Sequence, residues 1–218
     1  MSCDVCIPWR ATPERAPIFE RVRAWWEGHG FHVITADSGH AVFNRAASRN
    51  LAVARATTAE VLVADADTIA DIDTVHRAVG LARVAPVYPF HRYAYLPPAA
   101  LHALDPAQWE PEYYVPESPG GCFAINRAHW SQLGGQDPGF TGWGFEDDAF
   151  YLVARELLQV IRLRGTVYAF AHPAPRDWSE ANAGHARFER YRRAARAGDL
   201  AAFAEIRRES GALETSRT

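Results

Sequence analysis

Two aspartates one residue apart, Asp65 and Asp67, follow the apolar run Val61-Leu62-Val63-Ala64. A β-branched run of this kind suits a strand buried on both faces. Alternate residues of an extended chain point the same way, so both carboxylates can address one point beyond the strand's end. Ligands of open α/β sheets bind at that end. A hard divalent cation that bridges phosphate oxygens is a fitting guest for paired carboxylates. The alternative is purely structural: a strand closing in an Asx turn and a helix cap, because Thr68 and a helix-like segment follow.

A second stretch with chemical content is Gly139-Phe140-Thr141-Gly142-Trp143-Gly144-Phe145-Glu146-Asp147-Asp148. Glycines on both sides of a tryptophan allow close backbone approach and aim an indole at a cavity. Three consecutive acids then stand where a helix should start. The macrodipole accounts for one or two of them, but not for a tryptophan between glycines. A flat aromatic ring beside carboxylates is what a sugar site needs, with the ring on the apolar face of the pyranose and the acids accepting from hydroxyls.

The elements that must position these groups are legible from periodicity. Val5 to Arg10 reads as a short strand stopped by Pro8. Pro13 to Gly28 is a helix with Ile18, Phe19, Val22, Trp25 and Trp26 at spacings of three and four. Phe31–Ala36 is a second strand, Ala46–Thr57 a helix and Ile69–Arg83 another helix after the aspartates. This β-α-β-α-β-α order predicts a mainly parallel sheet with covered faces. Later strands are expected over 87–90, 93–96, 120–126 and 166–171, and helices over 129–133 and 146–158. Between residues 88 and 114 tyrosine, tryptophan, histidine and proline accumulate, as a connection over the sheet or as an acceptor wall or lid. Two arginine- and glutamate-rich helices, 180–197 and 200–210, close the chain. Arg187, Arg190, Arg192 and Arg193 there suit either a solvated face or a contact with a diphosphate.

The totals set bounds. A chain of 218 residues supports one substantial core, and no linker or repeat divides it. A net charge of −3 gives no basic field for nucleic acid or membrane, and no apolar run approaches the ~20 residues of a membrane span. With no secretory signal pattern and three cysteines, the expected setting is a reducing cytoplasm. Cys3 and Cys6 form a CxxC on the first strand, without the helix start or the further ligands that redox or zinc chemistry requires.

Asp65-Ala66-Asp67, the run from Gly142 to Asp148, and His172 behind a late strand, in that order, resemble the GT-A glycosyltransferases. The likeness is in particular to the β-1,4-galactosyltransferase and polypeptide N-acetylgalactosaminyltransferase catalytic domains. Ile7-Pro8-Trp9-Arg10 is similar to the first-strand nucleotide motif, and Phe43-Asn44-Arg45-Ala46 with Asn50 to the uridine-contacting segment. The resemblance spans residues 5 to 175. It implies a GT-A (nucleotide-diphospho-sugar transferase) fold: a Rossmann-like α/β sheet, mixed but mainly parallel, flanked by helices. One domain over 1–218 is expected, with a nucleotide-binding half (1–85), an acceptor and catalytic half (86–175) and a C-terminal helical extension (176–218).

For the site, the resemblance implies a divalent metal, Mn²⁺ or else Mg²⁺, on Asp67 and His172. Asp65 is expected beside them, on the metal or on hydroxyls of the donor. Pro8, Arg10, Phe43, Arg45, Asn50 and Asp65 would bind the nucleotide. Trp143, Gly144, Glu146 and Gly121 would meet donor sugar and acceptor, and Asp147, with Glu146 beside it, would carry catalysis. The activity so implied is metal-dependent transfer of a hexose or N-acetylhexosamine from a nucleotide-sugar, expected to be a UDP-sugar, to an acceptor hydroxyl. The Glu-Asp-Asp run is more like the inverting galactosyltransferases than their retaining relatives, with Asp147 as base. The late strand offers His172 alone, where relatives often present a second ligand. The chain is short beside the animal enzymes and shows neither a membrane anchor nor a lectin domain, which points to a soluble bacterial or viral enzyme. Glycan, protein, lipid-linked sugar and modified nucleobase stay open as acceptors, and the oligomeric state is unreadable. Two other functions compete. A nucleotidyltransferase acting on a sugar phosphate is disfavoured by the glycine-poor Pro8-Trp9-Arg10 segment. A non-catalytic sugar- or nucleotide-binding relative is disfavoured by the full acidic set.

Overall fold

The computed structural model describes residues 3–103, 106–173, 179 and 182–210. Strand β1 (Asp4–Pro8) is buried throughout because it lies between two neighbours. Helix α1 (Ala16–Gly28) starts beside Pro17, whose missing N–H costs nothing in a first turn, and buries Ile18, Phe19, Val22 and Trp26. After β2 (His32–Ala36), Asn44 caps α2 (Arg45–Arg55) by accepting from the Ala47 N–H at 2.9 Å. Strand β3 (Glu60–Ala64) follows. The helix expected over 69–83 is in fact a short strand, β4 (Thr68–Ala70), and then α3 (Ile72–Leu81). Pairing of Thr68–Ala70 with a later strand overrides its local preference, and Asp71 caps α3 by accepting from the N–H groups of Asp73 and Thr74.

The remaining elements are β5 (Val87–Tyr88), β6 (Arg92–Tyr95), β7 (Tyr113–Pro116), β8 (Cys122–Asn126), α4 (Arg127–Leu133), α5 (Glu146–Leu157), β9 (Ile161–Arg162), β10 (Thr166–Ala169), α6 (Ala183–Ala197) and α7 (Leu200–Arg208). Two single-turn helices, Pro98–His102 and Pro106–Gln108, lie between β6 and β7. Strands β7 and β9 were not anticipated, being short and lacking alternation.

Two sheets result. The larger runs β2-β1-β3-β8-β5-β9 and the smaller β4-β10-β6-β7. The expected parallel character is found in β2-β1-β3 and in the pairs β5-β9 and β6-β10, whereas β8 enters antiparallel to both β3 and β5. One core cluster extends from Cys3 to Ile206. The C-terminal helices join it through Asp137, which takes Arg187 at 2.7 Å and the Tyr191 hydroxyl at 2.7 Å. Arg190 pairs with Glu209, and Arg192 with Glu189. Arg187 and Arg190 thus tie α6 to neighbouring segments, Arg192 pairs along its own helix, and none of Arg187, Arg190, Arg192 and Arg193 lines the cavity described below.

The architecture places the site where chain segments leave one sheet for the other. Residues 65–67 pass from β3 to β4, residues 117–121 from β7 to β8, and residues 170–173 leave the end of β10. Backbone bonds tie these crossings together: the Gly121 carbonyl accepts from the Asp65 N–H (2.9 Å) and the Thr68 hydroxyl (2.8 Å), and the Asp67 carbonyl accepts from the Phe170 N–H (2.9 Å). Among the described residues, no helix is long and apolar enough to cross a membrane.

Candidate active site

A cavity of about 440 Å³ opens at these crossings, a size within the usual range for small-molecule sites. Pro8, Phe43, Arg45, Asp65, Asp67, Gly121, Trp143, Gly144, Asp147 and His172 all line it. Segments more than 160 residues apart in sequence thus meet at one place. The loop that presents Trp143 is tightly wound, with Gly142 (φ +85°), Gly144 (φ +95°) and Phe145 (φ +70°) all left-handed. A left-handed phenylalanine is costly, and the Phe188 ring stacked 5.6 Å away helps to hold it.

His172 Nε2 lies 2.8 Å from Asp67 Oδ2, and its Nδ1 is 2.9 Å from the Pro173 carbonyl oxygen. Both neighbours are acceptors only, so both ring nitrogens must donate unless a cation stands between Nε2 and the carboxylate. The hydrogen bond to Asp67 raises the His172 pKa above its ordinary value. Burial works to raise that of Asp67, but the His172 hydrogen bond and charge outweigh it and hold Asp67 low. With Nδ1 fixed as donor to the Pro173 carbonyl, the deprotonated Nε2 and the Asp67 carboxylate are a fitting nitrogen–oxygen pair for Mn²⁺. Among the described residues no group of three histidine, cysteine, aspartate or glutamate side chains is gathered closely enough to hold a metal. Among the described residues, Asp67 and His172 are thus a pair.

Asp65, expected beside this pair, lies on the cavity wall and engages one carboxylate oxygen, Oδ1, with an arginine. That arginine is Arg49, a residue absent from the sequence-based expectation. Arg49 is 2% exposed. It also donates to Asp147 Oδ1 at 2.5 Å and to Gln136 Oε1 at 2.8 Å, while Gln136 Nε2 donates to the same Asp147 oxygen at 3.0 Å. Burial acts to raise the Asp147 pKa, and Arg49, Arg45 and the Gln136 hydrogen bond together reverse it, keeping the group ionised. Its other oxygen, Oδ2, faces Gly120, where a β-carbon would stand only 2.8 Å away. Asp148, also on the cavity wall, has its pKa pushed up to about 6, first by burial and then by repulsion from Asp147 and Glu146.

Three expected site residues stand elsewhere. Glu146 turns inward as the buried counter-ion of Arg45 and is not on the cavity wall. Arg10 binds Asp37 at 2.6 and 2.8 Å and the His40 carbonyl at 2.7 Å, with its guanidinium 5.4 Å from the Phe43 ring. It shapes the loop that carries Phe43 and does not itself reach the cavity wall. Asn50 spends both ends of its amide on the Gln136 backbone, at 2.8 and 2.9 Å. Arg15, not singled out from sequence, also lines the cavity, as do Asp148 of the acidic run and Tyr93 and Tyr95 of the segment expected as a connection or an acceptor wall.

The fold defined by this arrangement is the GT-A glycosyltransferase fold. S. aureus TarS 1–349, solved with UDP-GlcNAc, shares it at a TM-score of 0.58 with 13% identity, over 94% of this chain and 70% of that one. A mutant Drosophila β1,4-galactosyltransferase 7, solved with manganese, UDP-Gal and xylobiose, matches at a TM-score of 0.51 and 21% identity, over 74% and 64% of the two chains. Within the fold, the profile of the family described as the N-terminal domain of galactosyltransferase matches residues 102–173. β-1,4-Galactosyltransferase 7 of Drosophila melanogaster is 35% identical over 77 residues, which is 33% of this chain and only 24% of that relative.

Proposed function

We propose that this protein is a metal-dependent glycosyltransferase that moves a sugar from a UDP-sugar to an acceptor hydroxyl with inversion. The observation that carries the reading is the convergence of the Asp67–His172 pair, Trp143 and the ionised Asp147 on one cavity. The complexes of the two structural relatives, with UDP-GlcNAc and with manganese, UDP-Gal and xylobiose, support it.

Asp67 and His172 would hold the Mn²⁺, and the diphosphate and water would fill its other positions. When bound, a divalent ion neutralises the leaving diphosphate as a Lewis acid. Phe43 and Arg45 flank the nucleotide, with Pro8 at the end of β1 beside them. Trp143 covers an apolar sugar face. Asp147 takes the acceptor proton on its free Oδ2, from the space left open by Gly120. Asp65, neutralised by Arg49, accepts from hydroxyls of the donor.

The test is release of UDP from a panel of UDP-sugars with Mn²⁺ present or chelated. Release that requires the metal and favours UDP over GDP and dTDP donors supports the proposal. No metal-dependent release from any donor, with or without oligosaccharide acceptors, refutes it.

A further inference from the structure

The buried arginine at the centre of the site joins its two halves. Arg45 and Arg49 are four residues apart on α2 and therefore share a face. Asn44, which caps that helix, also donates from Nδ2 to the Pro138 carbonyl at 2.7 Å, tying α2 to the loop that carries Gln136. From this anchored position one guanidinium nitrogen of Arg49 meets Asp65 at the end of β3, and the other meets Asp147 in the first turn of α5. Gln136 closes the ring by contacting both Arg49 and Asp147. Asp147 Oδ1 thus receives two donors from fixed directions. With one oxygen held this way, the other can only face Gly120 and the cavity.

We propose that Arg49 is a positioning residue for transfer: its planar fork ties the donor-side carboxylate of Asp65 to Asp147 and so aims the free Asp147 oxygen at the acceptor hydroxyl. This rests on the assignment of Asp147 as base. A counter-ion role alone would need only a positive charge, and lysine supplies one. Bridging two carboxylates from fixed directions needs the fork, which lysine lacks.

The experiment compares wild type, Arg49→Lys and Arg49→Ala with UDP-galactose and Mn²⁺, water serving as acceptor. Arg49→Lys is expected to lower kcat by at least ~10-fold while the KM for UDP-galactose stays within about threefold, because aim is lost and donor binding is not. Millimolar guanidinium should restore part of the turnover of Arg49→Ala, and methylammonium should not. A lysine variant with wild-type kcat, or one altered in KM alone, overturns the proposal, as does rescue by either cation alike. Should the variants fail to fold, ¹⁵N-arginine NMR of the wild type decides. The Nη protons of Arg49 should be individually resolved and slow to rotate, with one set released by Asp147→Asn. Freely rotating Nη groups in the wild type overturn the bridge. Wild-type protein with no metal-dependent UDP release from any UDP-sugar would instead refute the transferase reading, and the NMR result would still stand on its own.

Discussion

Replacing Gly120 by alanine separates catalysis from stability more cleanly than any change to a charged residue. The new β-carbon would stand 2.8 Å from Asp147 Oδ2 and 3.3 Å from its Cγ, and ordinary contact begins at 3.4 Å. The carboxylate must therefore retreat by about 0.6 Å. It cannot do so freely, because Oδ1 is held by Arg49 and Gln136. The methyl also fills the space where the acceptor hydroxyl would lie. A misplacement of about 1 Å costs a reaction roughly 10²-fold, so kcat is expected to fall by ~30- to 100-fold. Gly120 does not have a left-handed φ, so alanine adds no backbone strain, and the melting temperature should fall only modestly, through the shifted Asp147 contacts. UDP release under saturating donor, thermal unfolding and calorimetric UDP binding with Mn²⁺ measure the three quantities. Wild-type turnover would refute the position assigned to the acceptor. Loss of UDP binding in step with turnover would refute the division of the site. Gly121→Ala is the contrast: with φ +100° and a β-carbon 2.5 Å from the Tyr93 ring, it should destabilise the fold itself.

Other expectations concern charge. Asp67→Asn should abolish metal-dependent UDP binding, because the one carboxylate ligand is lost; calorimetry with Mn²⁺ that shows unchanged affinity would contradict the ligand assignment. Mn²⁺ affinity should fall as pH drops below the raised His172 pKa, by up to about tenfold per unit, because the metal and the Nε2 proton compete. A pH-independent affinity between 5.5 and 8 would exclude His172. In metal-free protein the sign for stability is opposite: the contribution of His172 is complete below its ordinary pKa and is lost as pH rises through the raised one. Glu146→Gln leaves Arg45, which is 24% exposed on its side chain, without its counter-ion. A loss of roughly 1–3 kcal/mol, or about 3–10 °C in melting temperature, should follow. An unchanged melting temperature would show that the pair is not structural.

Sequence alone went far where the physics is local. The strand before Asp65 is legible because buried β-branched runs have few other fates, and the Trp143 loop because glycines on both sides of an indole have little structural excuse. The order of motifs then placed His172, which no local feature marks. What stayed hidden is set by tertiary pairing. Ile69 and Ala70 read as the start of a helix until β10 is there to pair with them. Glu146 and Asp147 are adjacent acids in sequence, and only the turn of α5 sends one to Arg45 and the other to the cavity. Arg49 did carry a signal, since it stands four residues after Arg45 on a face otherwise made of small buried residues. A charge on such a face asks for a buried partner. Gln136 carried none, because an isolated glutamine between Gly135 and Asp137 reads as loop.

On the proposed reading, Asp67 and His172 hold the ion that carries the diphosphate. Anomalous diffraction at the manganese edge, from crystals grown with UDP and Mn²⁺, tests it most directly. A single strong peak is expected about 2.0–2.3 Å from Asp67 Oδ2 and His172 Nε2, with phosphate oxygens completing the sphere. A peak that lies elsewhere in the cavity, or UDP bound there with neither side chain near the metal, would contradict it.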